Sequence, residues 1–254
     1  MRNYIRALVL SFVDAFRENL GYHSASLTYQ FLTVIGSVIM LLGFVSMYLP
    51  FLEPSRVYEY VKDYLPSYAE LIFEKLLPVY EKRASGSLLS VALAYYFALS
   101  FAKTLNFSFS IVYKKKPLES ELAFWVFMPL VLILYATALS FGLALLAIAK
   151  SFLEGIYQRL TELANFLLLL LLVSMLYSLY FRPRGYTFLA SVFASLLLFI
   201  LNKVFSIVVI KLISASPLYS VIGSPLLFLV WLYYSFFCLL LGACFLRRLD
   251  EPLQ

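Results

Sequence analysis

From Ser24 to Leu52 the chain carries no Asp, Glu, Lys or Arg. A stretch of that length has one common use, because about 20 apolar residues in a helix cross the hydrocarbon core of a bilayer. Five further stretches read the same way: Leu88–Val112, which holds Lys103; Leu122–Ala149; Leu163–Phe181; Tyr186–Ile210, which holds Lys203; and Leu218–Leu246. The runs are continuously apolar rather than alternating, which excludes lipid-facing barrel strands and leaves helices as the spanning structure. With 63% hydrophobic and 13% charged residues, against about 25% charged in a soluble domain, a water-soluble globule is excluded. The expected fold is an all-α polytopic membrane protein, a single six-span domain over residues 1–254.

The connections add detail. Tyr4, Leu8, Phe12, Phe16 and Leu20 recur every four residues, with Arg2, Arg6 and Arg17 elsewhere, predicting an interfacial helix over 1–23. Asp14 interrupts this opening and no small-residue cleavage site follows, so it reads as a resident helix rather than a signal peptide. Residues 53–87 form the longest connection, where Pro54-Ser55 and Pro66-Ser67 each precede spaced apolar residues, predicting two short amphipathic helices. Arg182-Pro183-Arg184-Gly185 is a tight turn between the fourth and fifth spans.

Loop charge sets orientation. The segments on the N-terminal side (1–23, 113–121, 182–185 and the C-terminal tail) hold ten Lys and Arg against six acids, whereas the opposite side holds eight of each. With Lys114-Lys115-Lys116 on that first side, both termini are expected in the cytoplasm and 53–87 outside. The net charge of +6 is mostly this asymmetry, with Lys103 and Lys203 supplying the rest, so no nucleic-acid partner is expected.

Lys103 and Lys203 are the remaining cations, their depths differing by roughly 12 Å along the helix axes. A lysine in a span costs at least about 2.5–3.5 kcal/mol, and no Asp or Glu lies inside any of the six stretches. The ammonium groups must snorkel, lose a proton, or meet acceptor oxygens. Polar residues at helical spacing favour a cavity: Tyr96, Ser100, Lys103, Asn106 and Ser110 on the second span; Ser26, Gln30, Thr33 and Ser37 on the first; Ser191, Ser195, Asn202 and Ser206 beside Lys203 on the fifth. The plainer reading of the Ser and Thr stripes is close helix packing. Lys103, Lys203, Gln30, Asn106, Asn202, Tyr96 and Ser100 are the candidate ligand-binding residues. Gly223 and Pro225 form a candidate hinge near the outer end of the last span, where proline removes a hydrogen bond.

Catalytic motifs are absent. A single histidine, His23, and two cysteines, Cys238 and Cys244, whose spacing puts them on different helix faces, predict no catalytic residues, no metal site, no disulfide and no cofactor.

Two segments carry a family resemblance. Ser24-Ala25-Ser26-Leu27-Thr28-Tyr29-Gln30-Phe31-Leu32 resembles the opening of the first span in the YihY/BrkB family of bacterial inner-membrane proteins, whose members have carried ribonuclease BN-like and virulence-factor labels. Tyr219-Ser220-Val221-Ile222-Gly223-Ser224-Pro225, followed by Leu229-Val230-Trp231-Leu232-Tyr233 and Leu241-Gly242-Ala243, resembles that family's last span. The chain departs from the family's pattern at Thr33-Val34-Ile35-Gly36, where a Ser-x-x-Pro step is common, and at Cys244, where an acid is common. The resemblance implies a six-span protein of the bacterial inner membrane.

Together these features predict a transporter or lipid-handling protein whose polar intramembrane cavity accommodates an anionic, amphiphilic ligand such as a phospholipid. A sodium/proton exchanger is the alternative, disfavoured by the lack of intramembrane acids. A non-transporting scaffold that recruits envelope proteins through 53–87 is the third reading. Small-residue faces leave room for a homo-oligomer.

Overall fold

The structure, a computed structural model, describes residues 2–46, 88–114, 157–181, 185–215 and 224–250. These form six helices: α1 (Arg2–Arg17), α2 (Leu20–Ser46), α3 (Leu88–Tyr113), α4 (Tyr157–Tyr180), α5 (Gly185–Ala215) and α6 (Ser224–Asp250). No strand occurs among the described residues. Among the described residues, three segments, Glu162–Tyr180, Gly185–Val209 and Leu226–Asp250, are long and apolar enough to cross a membrane. α2 and α3 coincide with the first two apolar stretches. The stretch 122–149, the connection 53–87, the turn at 182–184 and Gly223 lie outside the described residues.

The opening helix is shorter than the 1–23 expected. Asn19 adopts φ 52°, a left-handed conformation that asparagine tolerates better than most residues. It ends α1, and its carbonyl accepts from Tyr22 N at 2.9 Å, starting α2. The face α1 exposes shares only part of the four-residue row. A step of four turns a helix by about 400°, so such a row drifts about 40° per step. Leu20 ends up buried at the start of α2, whereas Tyr4, Phe12 and Phe16 of the row are exposed and are joined by Ile5, Val9 and Val13.

Pro225 sits in the first turn of α6, where its missing N–H needs no intrahelical partner. Gly223, the other residue of the expected hinge, lies outside the described residues.

Two compact units divide the chain. The first comprises Met1–Ser24, Leu105–Ile200 and Phe237–Gln254. Its core is aromatic: the Phe109 ring meets Tyr177, Tyr180 and Phe181, and Tyr113 meets Phe181 with ring centres 4.6 Å apart. Beside it, small residues bring α4, α5 and α6 together. Ala190, Ser191, Ala194 and Ser195 of α5 are buried, as are Ala243 and Cys244 of α6, the pattern by which membrane helices pack closely. Tyr177 of α4 is fully buried and donates its hydroxyl to Leu239 O of α6 at 2.6 Å. This bond satisfies the one polar atom on an otherwise apolar ring.

The second unit comprises Ala25–Thr104 and Leu201–Phe236. Phe31, Phe101 and Phe236 form a triangle with ring centres 5.4–5.9 Å apart. A smaller cluster of Phe205 and Val209 packs against Leu201, Leu227, Phe228 and Trp231.

Much of the apolar surface faces outward. Leu163, Leu167 and Leu171 line an exposed face of α4, and Leu196, Ile200, Val204 and Ile207 one of α5. Contiguous apolar faces of this extent suit lipid rather than water.

Gly242 is where the close packing of the first unit is tightest. A Cβ there would overlap the Tyr177 hydroxyl and come within 2.6 Å of Ala194 Cβ, whereas a Cβ at Gly36 meets nothing within 4 Å. Gly242→Ala should destabilise the protein by about 1–3 kcal/mol, read as a lowered unfolding temperature in detergent. Gly36→Ala should leave that temperature unchanged or raise it, since alanine favours helix over glycine by about 1 kcal/mol.

A buried charge cluster and the candidate ligand residues

The most developed polar site in the described structure is one that sequence reasoning did not single out. In the first unit, Asp14 and Glu18 lie four residues apart on the inward face of the N-terminal segment, and Arg247 and Arg248 close the last turn of α6. Arg247 Nη1 donates to Glu18 Oε1 and to the backbone oxygen of Val112, each at 2.5 Å, and its Nη2 donates to Asp14 Oδ2 at 2.6 Å. Arg248 grips the same carboxylate from two sides, Nε to Oδ2 at 2.5 Å and Nη2 to Oδ1 at 2.7 Å. This two-pronged match is what a guanidinium makes and an ammonium cannot. Asp14 and Arg247 are 3% and 2% exposed.

Each group also answers a helix-end problem. Acids near the C-terminal end of α1 oppose its dipole, and the two arginines offset that cost. The same arginines are themselves well placed at the C-terminal end of α6. Val112 O belongs to the last turn of α3, where carbonyls lack intrahelical donors, and Arg247 supplies one. At the rim, Tyr113 donates its hydroxyl to Asp250, and Lys114 Nζ lies 3.8 Å from Glu18 Oε1 with its side chain largely in solvent.

Burial alone would raise the Asp14 carboxyl, but the hydrogen bonds from Arg248 and Arg247, with their charges, outweigh it and hold the pKa below its ordinary 3.8. Three cations and three carboxylates thus meet near neutrality. The arginines stay protonated at any physiological pH, so the arrangement suits holding three helix ends together, not proton transfer.

The residues singled out from the sequence are distributed differently. Gln30 and Ser100 do meet: Ser100 donates to Gln30 Oε1 at 3.0 Å, joining α2 to α3 in the second unit. Thr33 turns back to its own helix, donating to Gln30 O. Asn202 accepts from Trp231 Nε1 at 2.7 Å, joining α5 to α6. Tyr96 and Lys103 are exposed, whereas Asn106 is buried. A step of three residues leaves Asn106 about 60° round the helix from Lys103, enough to turn it from the outer surface inward. Lys203 is exposed as well. Ser191 is buried and donates to Thr187 O within its own helix, as expected of packing residues. Cys238 and Cys244 are free thiols.

Helices with apolar outer faces, and a charge cluster drawn inward, define a helical integral membrane protein. Residues 12–251 match the family model described as Virulence factor BrkB, and the chain belongs to this YihY-like family. No curated protein and no solved structure matches the chain.

Removing one member of a buried ion pair leaves the others uncompensated. Arg247→Met should destabilise the protein by about 3 kcal/mol or more, and Lys114→Met, at the exposed rim, by less than about 1 kcal/mol; thermal unfolding in detergent separates the two. Because the folded pKa of Asp14 is depressed, its contribution is complete above 3.8 and is lost as pH falls through the folded value. The stability gap between the native protein and Asp14→Asn should therefore hold from neutral pH down to that region and close below it.

Proposed function

We propose that this BrkB-family protein is a multi-pass protein of the bacterial inner membrane, with both termini cytoplasmic, that handles an anionic amphiphile such as a phospholipid. The observation that carries the reading is the placement of Lys103 and Lys203. Both stand on outward faces among exposed apolar residues: Lys103 with Tyr96 and Phe107 on α3, Lys203 with Ile200, Val204 and Ile207 on α5. A cation on a lipid-facing surface draws phosphate-bearing headgroups or water toward it. The ligand would accordingly be engaged from the lipid side, with the Gln30–Ser100 and Asn202–Trp231 pairs as nearby polar contacts in the same unit, rather than inside a closed cavity.

The orientation has its own support. The charge cluster gathers Asp14, Val112 and Arg247, so the N-terminal helix, the start of the basic 113–121 loop and the C-terminal end share one side. Loop charge makes that side cytoplasmic. Binding or movement of a lipid suits this chain better than catalysis, since its sequence carries a single histidine and no catalytic motif.

Lys103→Met and Lys203→Met, singly and together, test the reading. Native mass spectrometry of the purified variants should show several-fold less co-purifying anionic phospholipid than the native protein retains. Unchanged lipid content in the double variant would overturn it.

A further inference from the structure

α1 is built inside out relative to a helix on a soluble protein. Its inward face is small or acidic: Ala7, Ser11, Asp14 and Ala15 are buried, with Glu18 following. Its outward face is large and apolar, with Ile5 60% and Phe16 80% exposed and Val9 and Phe12 between them. These four follow steps of four, three and four, and so form one stripe along the helix. Arg6 and Arg17, both exposed, lie together on one flank of it. The segment's only acids, Asp14 and Glu18, are the two carboxylates held by Arg247 and Arg248.

The geometry points to α1 as a docking surface for the headgroup region of an anionic bilayer leaflet, made cationic by withdrawal of its acids into the arginine cluster. The apolar stripe reaches into the acyl boundary while Arg6 and Arg17 meet phosphate-bearing headgroups, the arrangement of an interfacial helix. Were Asp14 and Glu18 outward, they would offset two of the segment's three arginines, Arg2, Arg6 and Arg17, and the surface would keep little preference for anionic over zwitterionic lipid. With them turned in, each arginine near the surface adds about a five-fold preference for anionic headgroups. A lipid surface fits this face better than a second copy of the chain, because a self-complementary contact would bring the arginine flanks of two α1 helices together with no exposed acid on either to offset them.

Phe16→Trp in the full-length protein provides the probe, read as the difference from the native signal of Trp125 and Trp231, in nanodiscs of phosphatidylcholine doped with brominated lipid. Acyl-chain bromine should quench residue 16, and brominated phosphatidylglycerol should do so at several-fold lower content than brominated phosphatidylcholine. Arg6→Gln with Arg17→Gln, both at exposed positions, should bring the two lipids to parity while quenching persists. Lys103→Met should leave this signal unchanged, which separates the surface from the lipid site proposed above. Parity of the two lipids with both arginines present would overturn the inference. So would quenching by aqueous iodide without quenching by bromine, which places the stripe in water, or protection from both, which places a protein on it.

Discussion

Arg247 is the group on which the first unit depends. Burying a guanidinium costs several kcal/mol, and a buried ion pair on its own adds little to stability. Here the cost is met by geometry: two carboxylates and one helix-end carbonyl surround it, and Arg248 takes the remaining oxygen of Asp14. Asp14 is shared between Arg247 and Arg248, and Glu18 between Arg247 and Lys114, so the cluster is stable as a set and not as separable pairs. It also explains the register of three helices, because Asp14, Val112 and Arg247 can meet only if the ends of α1, α3 and α6 coincide.

The apolar architecture was plain in the sequence, because uninterrupted hydrophobic runs leave few alternatives to membrane helices. The family resemblance rested on the same runs and on the Gly-Ser-Pro and Leu-Gly-Ala steps, and the match over residues 12–251 agrees with it. What could not be read was which way individual residues turn. Stripes at three- and four-residue steps looked like single faces, yet drift around the helix separates Lys103 from Asn106, and the left-handed Asn19 ends α1 before Leu20. In a chain with lipid outside and protein inside, both faces are apolar, so hydrophobicity does not distinguish them.

The charge cluster was hidden for a different reason. Asp14, Glu18, Arg247 and Arg248 counted toward loop charge and orientation, where each enters as a sign without a location. The available signal was the pairing of acids four apart on an otherwise basic helix, with a double arginine ending the last apolar run. Such a pair exposed beside a membrane would repel anionic headgroups, and a partner elsewhere in the chain resolves that conflict.

The clamp joins groups 233 residues apart in the chain, and this bears on how the protein is made. Domains are synthesised from the N-terminus at about 5–20 residues per second, so Asp14 emerges from the ribosome long before Arg247 exists. Throughout that interval Asp14 and Glu18 lack the two arginines that bury them and can rest only where water still reaches their carboxylates. Closure therefore waits until α6 has left the translocation machinery and its two arginines arrive. A nascent chain halted just short of them would carry nearly every apolar segment, yet its opening helix would remain undocked.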